Sequence, residues 1–214
     1  MQIFETFIAA ANPEKAVQMS AYMRDQFAFL GIPKPERAKL SKEFIKQASK
    51  QPIDWDFIHE CWQQQEREFQ YLACDYLGKY KRTLVAADLH RLEHLIVTKS
   101  WWDTVDSLDA LVGEIAQRHP ETVATLLAWS TDDNIWLRRS AINHQLAYKD
   151  KTDTDLLATI LTNNFGQQEF FINKAIGWSL REYSKTNPDW VRGFLAEHQA
   201  NMDKLSVREA GKYI

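Results

Sequence analysis

A helical unit that recurs every 33 to 35 residues is the feature that most constrains how this chain folds. The stretch IWLRRSAINHQLAYK (135–149) aligns with FFINKAIGWSLREYS (170–184) at an offset of 35 residues and without gaps. Trp102 lies 34 residues before Trp136, and Phe69 lies 33 residues before Trp102. Helical repeats of this length are typical of α-solenoids, in which each helix pair buries its apolar side against its neighbours.

The remainder of the sequence also favours helices. The 214 residues include only 7 glycines and 6 prolines, and no alternating apolar segment bounded by hairpin turns indicates a strand. Good N-terminal caps precede helical stretches, as at Asn134 before IWLRRSA and at Asn187 before the segment PDWVRGFL. We therefore predict an all-α solenoid that forms a single domain over residues 1–214.

A purely structural role explains Asp106 less well than any other residue of the repeat. In SWWDTVDSLDALVGE it follows Trp102 by one helical turn, so an indole and a carboxylate share one face. The next repeat has Ser140 at the equivalent position, where a small side chain suits close helix packing. Because a buried carboxylate without a partner is costly, Asp106 should face a partner or a cavity. Equivalent helices of a solenoid lie side by side, so we expect Arg139 and Lys174 near it.

These residues make Trp102, Asp106, Arg139 and Trp178 the strongest candidate site. A structural interpretation remains open, in which the tryptophans fill the core and Asp106 pairs with Arg139 to tie adjacent repeats. Trp178 follows Gly177, where another group can approach closely. That neighbour favours a functional site.

Two interpretations also apply to the basic residues. The first run can be an ordinary solvated helix face; it comprises Lys34, Arg37, Lys39, Lys42, Lys46 and Lys50. It can instead form a track for phosphates with a second set: Arg138, Lys149, Lys151, Lys174, Arg181 and Lys185. The net charge of −3 argues against a uniformly basic surface, but it allows a local basic face.

Other chemistry finds little support. His90 and His94 in HRLEH match the zinc-binding pattern H-x-x-E-H, but they also fit a polar helix surface, and no motif supplies a third ligand. Cys61 and Cys74 form no CxxC pair, so we expect neither a disulfide nor a metal role. No phosphate-binding glycine loop or nucleophile elbow occurs. We expect no metal and no organic cofactor.

The sequence also bears on location. No apolar run approaches the roughly 20 residues that a membrane span requires. The N-terminal segment MQIFETFIAAANPEK lacks the basic and apolar regions of a signal peptide. We therefore expect a cytoplasmic protein without a membrane partner.

Several long segments resemble a known family. TKSWWDTVDS, DNIWLRRSAI and FFINKAIGWSLREYSKTNPD are similar to the signature segments of the AlkD-like DNA alkylation repair glycosylases, as are AYMRDQFAFLGIPKPER and LSVREAGKYI. The resemblance spans nearly the whole chain in the same order. It implies a bacterial protein with a right-handed solenoid of HEAT-like repeats, whose concave groove holds double-stranded DNA.

The resemblance also implies an activity and roles for individual residues. Members of the family hydrolyse the N-glycosidic bond of cationic N3- and N7-alkylated purines, without the base-extrusion pocket of most glycosylases. By motif position, Asp106 becomes the catalytic carboxylate, Trp102 and Trp178 its aromatic walls, and Arg139 the cation that contacts DNA. Tyr22 matches an N-terminal tyrosine that approaches the lesion.

The resemblance further implies a monofunctional enzyme that acts as a monomer, needs no protein partner and joins the nucleoid when it binds DNA. The sequence departs from the family at Ala147, where relatives often carry a lysine directed at phosphate; Lys149 or Lys151 can take over that contact. The alternative function is a HEAT-repeat scaffold that binds DNA or protein without chemistry. Asp106 discriminates between the two, because a scaffold facing phosphates has no use for a carboxylate there.

Overall fold

The computed structural model describes residues 2–214, so Met1 lies outside the described residues. Thirteen α-helices and five short 3-10 helices make up the regular structure of that range, whose β structure is limited to one isolated bridge between Ala28 and Glu66. The predicted all-α fold class is confirmed. Within the same range, no helix combines the length and the apolar character needed to span a membrane.

The chain separates into two compact units, one that ends at Thr83 and one that runs from Leu84 to Ile214. The single domain over residues 1–214 and the right-handed, concave form of the solenoid stay predictions. The helices of the first unit are α1 (Gln2–Ala9), α2 (Pro13–Tyr22), α3 (Lys34–Ala48), α4 (Trp55–Gln63) and α5 (Arg67–Leu77). Those of the second are α6 (Leu89–Val97), α7 (Trp102–Arg118), α8 (Val123–Trp129), α9 (Ile135–Asn143), α10 (Thr154–Thr162), α11 (Phe170–Ser184), α12 (Pro188–His198) and α13 (Lys204–Ala210).

Asparagine and aspartate side chains begin several of these helices. The Asn134 side chain accepts a hydrogen bond from the Trp136 amide at the start of α9, and Asn187 accepts one from the Trp190 amide at the start of α12. Such caps satisfy amides that have no partner within the helix. Both predicted helix starts are confirmed.

In the first unit, a buried carboxylate organises the segment between α2 and α3. Glu68, at the start of α5, is fully buried and accepts hydrogen bonds from the amides of Leu30, Gly31 and Ile32 at 2.8–3.0 Å. Three such donors satisfy a charge that would otherwise be costly to bury. The contact holds this segment against α5.

The second unit is a row of repeated helix pairs. Its later helices pack side by side, with α9 between α7 and α11, and α11 between α9 and α13. The outer helices α8 and α10 contact α9, and α12 contacts α11. Side-chain hydrogen bonds join neighbouring repeats between residues 31 to 35 positions apart: Ser140 to Asp109, Arg139 to Asp106, Ser206 to Asn173, Asn143 to Asp109, Asn164 to Ser130 and Tyr148 to Gly113. These separations agree with the predicted period.

Two glycines allow the inner helices to approach closely. A Cβ atom at Gly113 of α7 would lie 2.2 Å from the carbonyl oxygen of His144, after α9. A Cβ atom at Gly177 of α11 would lie 2.6 Å from the Cβ of Glu209 on α13. Both distances are far below van der Waals contact, so any side chain there would force the helices apart.

Candidate functional site

The sequence-predicted residues meet around a pocket of about 340 Å³ in the second unit. Its wall comes from α7, α9 and α11 and consists of Trp102, Asp106, Arg139, Phe170, Phe171, Lys174, Trp178 and Arg181. The four candidate catalytic residues are therefore brought together, along with two of the six candidate DNA-binding residues. The expectation that Arg139 and Lys174 lie near Asp106 agrees with this geometry.

Asp106 is held by both carboxylate oxygens. Arg139 donates from Nε to one oxygen at 2.8 Å and from Nη2 to the other at 3.0 Å. Its Nη1 donates to the carbonyl oxygen of Phe171 at 2.7 Å, which fixes the third nitrogen on α11. The planar fork of arginine matches a carboxylate in this arrangement and fixes its orientation.

The two partners differ in access to solvent. The Arg139 side chain is only 4% exposed, whereas that of Asp106 is 22% exposed. The pocket therefore presents the carboxylate while its counter-ion lies beneath it. Because Arg139 is buried, holding Asp106 is a better-supported role for it than the phosphate contact that the resemblance implies.

Two opposing effects act on the Asp106 carboxyl. Burial raises its pKa above the ordinary aspartate value, and the hydrogen bonds and charge of Arg139 lower the pKa again. The negative charge of Asp103, one turn earlier on α7, adds to the rise. The net direction is upward, so Asp106 gains a proton at a higher pH than an exposed aspartate does.

Aromatic side chains form much of the remaining wall. Trp102 and Trp178 are half-buried and line the pocket on α7 and α11. Behind them, the Phe171 ring lies 5.1 Å from that of Trp101 and 5.0 Å from that of Trp136. Sequence reasoning used Phe171 only as a repeat position and did not assign it to the site. The equivalence with Trp136 at a spacing of 35 residues was the available signal.

Glu209 on α13 is a second residue of the site that sequence reasoning missed. Its side chain is 4% exposed and forms ion pairs with Lys174 at 2.9 Å, Arg181 at 2.7 Å and Lys212 at 2.9 Å. Hydrogen bonds from Lys212 and Lys174 lower the pKa of Glu209 to about 2. The pocket cations Lys174 and Arg181 are thus anchored on a buried carboxylate.

A further carboxylate lies one turn beyond Asp106 on α7. Asp109 is buried and accepts hydrogen bonds from the Ser140 hydroxyl and, at 2.8 Å, from the Asn143 amide on α9. Burial, followed by the charge of Asp106, raises the pKa of Asp109 to about 7. Asp109 therefore binds α7 to α9 without a cation of its own.

The other candidate DNA-binding residues do not line this pocket. Tyr22 ends α2 in the first unit, where it is exposed and borders a smaller apolar pocket, so its approach to a lesion stays a prediction. Arg138 is half-buried on α9, and its Nε has no hydrogen-bond partner among residues 2–214. Lys149 and Lys151 are exposed in a 3-10 helix after α9, and Lys149 borders a separate pocket of about 370 Å³.

The lysine run of α3 faces a groove of about 480 Å³ in the first unit. Lys34, Lys42 and Lys46 line it from α3, and Lys79 lines it from the end of α5. Arg37, in contrast, is buried and donates to Asp75 at 3.1 Å. Both interpretations of these lysines stay open, while Arg37 has a structural contact.

The zinc alternative lacks a ligand set. Among residues 2–214, no group of three or more His, Cys, Asp or Glu side chains is placed to hold a metal ion. The His90 ring nitrogen Nδ1 instead contacts the Ala87 carbonyl oxygen. Cys61 is buried and Cys74 is half-buried, and neither is in a disulfide. Burial raises the pKa of Cys61 well above its usual range.

Comparison with known proteins gives the family. The family model for the DNA alkylation repair enzyme matches residues 3–214. A solved structure of a predicted DNA alkylation repair enzyme from Enterococcus faecalis has a TM-score of 0.88 and 39% identity, over 95% of this chain and 96% of that one. The protein smu.31 from Streptococcus mutans UA159 shares the fold alone, with a TM-score of 0.60 and 16% identity over 83% of this chain and 97% of that one. No curated protein sequence matches. The chain belongs to the DNA alkylation repair enzyme family.

Proposed function

We propose that the protein is a monofunctional DNA glycosylase that removes cationic N3- and N7-alkylated purines from double-stranded DNA. The observation that carries the proposal is the Asp106 carboxylate, which is accessible in the pocket while both of its oxygens are fixed by a buried arginine. A carboxylate so held is suited to stabilising positive charge that develops beside it.

The chemistry of the substrate matches this arrangement. Alkylation at N3 or N7 places a positive charge on the purine, which makes it a good leaving group. As the bond to C1′ stretches, positive charge moves to the sugar in an oxocarbenium-like transition state. Two unit charges ~4 Å apart attract by about 4 kcal/mol at an effective dielectric of 20. If most of that attraction arises only in the transition state, the rate rises on the order of a thousandfold.

The two indoles of the pocket favour the same substrate. The face of an indole attracts a cation by roughly 0.5–2 kcal/mol, whereas a neutral purine gains no such term. Trp102 precedes Asp106 in the sequence, Trp178 follows it, and both line the pocket. They would therefore discriminate cationic alkylpurines from undamaged bases.

The lysine of the pocket supports a hydrolytic rather than a lyase reaction. Strand cleavage by a bifunctional glycosylase requires a neutral amine that forms a Schiff base. Among the described residues that line the pocket, the amine is that of Lys174, and Glu209 pairs with it at 2.9 Å. The amine is therefore engaged in an ion pair rather than free to attack the sugar. Water directed by Asp106 is then the nucleophile.

The DNA itself would be held by cations on several elements. We propose that Lys174 and Arg181 contact phosphates near the pocket, that Arg138, Lys149 and Lys151 contribute farther away, and that Tyr22 approaches the lesion. A monomer needs no second copy or protein partner for this binding, and it would work in the cytoplasm on nucleoid DNA.

Base release is the direct test. Duplex DNA methylated to contain 7-methylguanine and 3-methyladenine is incubated with the protein, and released bases are measured by chromatography. We expect release by the wild type and almost none by Asp106→Asn, with DNA binding retained. Full activity in that variant would refute the role of Asp106.

The second candidate is a DNA- or protein-binding HEAT-repeat scaffold without chemistry. The bidentate contact between Asp106 and Arg139 favours it to a degree, because the same pair ties α7 to α9. Wild-type protein that binds methylated duplex and releases no base would establish the scaffold instead.

A further inference from the structure

The buried carboxylate of Glu209 joins the last helix to the pocket. Glu209 on α13 contacts Lys174 and Arg181, which are seven residues apart on α11 and therefore on one face of that helix. Its third partner, Lys212, follows α13 and is absent from the residues that line the pocket. One carboxylate thus fixes two cations of the site from behind.

The packing of α13 on α11 fixes where this carboxylate lies. Gly177 sits between Lys174 and Arg181 on α11, and a Cβ atom there would lie 2.6 Å from the Glu209 Cβ. The Ser206 hydroxyl donates to the Asn173 carbonyl oxygen at 2.7 Å on the same interface. The close approach of the two helix backbones therefore sets where the Glu209 Cβ lies, directly over Gly177.

The cations, in contrast, reach the pocket. The Lys174 side chain is 36% exposed and that of Arg181 is 21% exposed, and both border the space next to Asp106. The Arg181 Nε is buried and forms no hydrogen bond among the described residues, although a Glu182 carboxylate oxygen lies 4.0 Å away. Three cations thus surround the Glu209 carboxylate, and Glu182 adds a second carboxylate beside Arg181.

A buried ion pair alone is weak support for a stabilising role. Taking a carboxylate and its partners out of water costs about as much as their attraction returns, so apolar residues of similar volume would hold α13 on α11 at least as well. Long basic side chains also lose much conformational freedom when they bind a phosphate, and prior anchoring reduces that loss. The arrangement is therefore better explained by the cations that it holds.

We propose that Glu209 is a positioning residue that fixes Lys174 and Arg181 as a binding site for a backbone phosphodiester of the DNA beside the pocket. The proposal rests on the proposed function only in that the ligand is DNA. It makes α13 a part of the site, in addition to the Asp106 carboxylate, the two indoles and Arg139.

The direction in which one substitution changes the DNA affinity tests this role. If Glu209 merely contributes negative charge near DNA, Glu209→Gln removes repulsion and binding becomes tighter. If Glu209 positions the two cations, the same variant releases them and binding becomes weaker. We expect roughly fivefold weaker binding of an undamaged fluorescent duplex by anisotropy, and a salt dependence whose slope falls by about one.

Matched variants separate position from charge and from folding. Asp189→Asn makes the same change of charge at an exposed residue of α12 that pairs with Arg192, and we expect unchanged or slightly tighter binding. Lys212→Ala removes the partner that does not border the pocket and should leave the salt slope unchanged. Glu209→Asp keeps the charge but shortens its reach, and should bind between wild type and Glu209→Gln. Thermal melting and circular dichroism identify variants that lose the fold.

Unchanged or tighter binding by folded Glu209→Gln would overturn the proposal, and so would an equal loss in Lys212→Ala. If Glu209→Gln does not fold, the comparison of Glu209→Asp with Asp189→Asn decides in the same way. A double variant with Lys174→Ala should lose little more than either single change if both act through one contact. This test uses undamaged DNA, which is not hydrolysed. A failure of base release would therefore refute the proposed activity without affecting the test of Glu209.

Discussion

Two charge clusters border the pocket, and they are built in opposite senses. At Asp106 the carboxylate is partly exposed in the pocket and its arginine is buried. At Glu209 the carboxylate is buried and the cations Lys174 and Arg181 are partly exposed. Both clusters contain paired charges, but the first displays a negative group to a ligand and the second displays positive ones. Which member of a pair lies underneath therefore decides what the surface can bind.

The largest expected effect comes from removing the exposed carboxylate. Asp106→Asn keeps the size of the side chain but removes the charge opposite the developing cation, so base release should fall on the order of a thousandfold. Single-turnover release of 7-methylguanine measures it. Asp103→Asn makes the same change of charge one turn earlier on α7 and should stay within about twofold. Equal losses in both variants would contradict a specific role for Asp106.

Removing the buried partner of that carboxylate should have a smaller effect on rate and a clear effect on pH dependence. Arg139→Ala eliminates the group that opposes the rise in the Asp106 pKa. The acid limb, which is the fall in rate on the acidic side of the pH–rate profile, should therefore move to higher pH. Breaking a buried pair also lowers the free energy of unfolding by about 3–5 kcal/mol. Rate against pH and chemical denaturation measure the two effects.

The neighbouring Arg138 provides the control for Arg139. Arg138→Ala should weaken DNA binding and lower the salt slope while leaving the acid limb in place. If Arg139→Ala alters only the salt slope, then Arg139 contacts phosphate, as the family resemblance implies, and does not hold Asp106.

A smaller effect is expected where α13 meets α11. Gly177→Ala places a methyl group against the backbone of α13, which should lower the free energy of unfolding by about 1–3 kcal/mol and shift Glu209 away from its cations. DNA binding should then weaken in the same direction as in Glu209→Gln. Gly193→Ala is the control, since nothing lies within 4 Å of a Cβ there. Normal DNA binding by a destabilised Gly177→Ala would separate helix packing from cation placement.

The dependence of stability on pH should have opposite signs for the two buried carboxylates. The pKa of Glu209 is about 2 in the folded protein, below its unfolded value, so its contribution is present above about pH 4.5 and is lost as pH falls toward 2. The pKa of Asp109 is about 7, above its unfolded value. Its contribution is full below about pH 4 and is lost as pH rises through 7.

Urea denaturation across pH 2–8 measures these slopes. In Asp109→Asn, the free energy of unfolding should no longer decline between about pH 4 and 7. In Glu209→Gln, it should no longer show the decline that Glu209 contributes as pH falls from about 4.5 toward 2. A wild-type stability that rises between pH 5 and 7 by the amount that Asp109→Asn abolishes would contradict the assigned direction.

The repeat made part of this site predictable from sequence. The period of about 35 residues brings Asp106, Arg139 and Lys174 onto neighbouring helices, and the hydrogen bonds between repeats have that separation. One more step of 35 residues from Lys174 reaches Glu209, so the same argument extended to the last helix would have found it.

Burial was harder to predict than proximity. The sequence contains Asp103, Asp106 and Asp109 within two turns of α7, and periodicity alone does not say which one faces the pocket. Only the packing of α9 shows that Asp109 is covered by Ser140 and Asn143. Likewise, the family resemblance implies a DNA contact for Arg139, whereas its three hydrogen bonds hold the Asp106 carboxylate and the Phe171 carbonyl oxygen.

The distribution of the site over successive helices has a consequence for synthesis. Asp106, Arg139, Lys174 and Glu209 lie on four different helices that emerge from the ribosome in that order. A nascent chain that ends before α13 already contains the acid and both indoles but lacks the anchor of Lys174 and Arg181. Such a chain can bury its apolar faces pair by pair, while these two cations gain their anchor only once α13 has been synthesised.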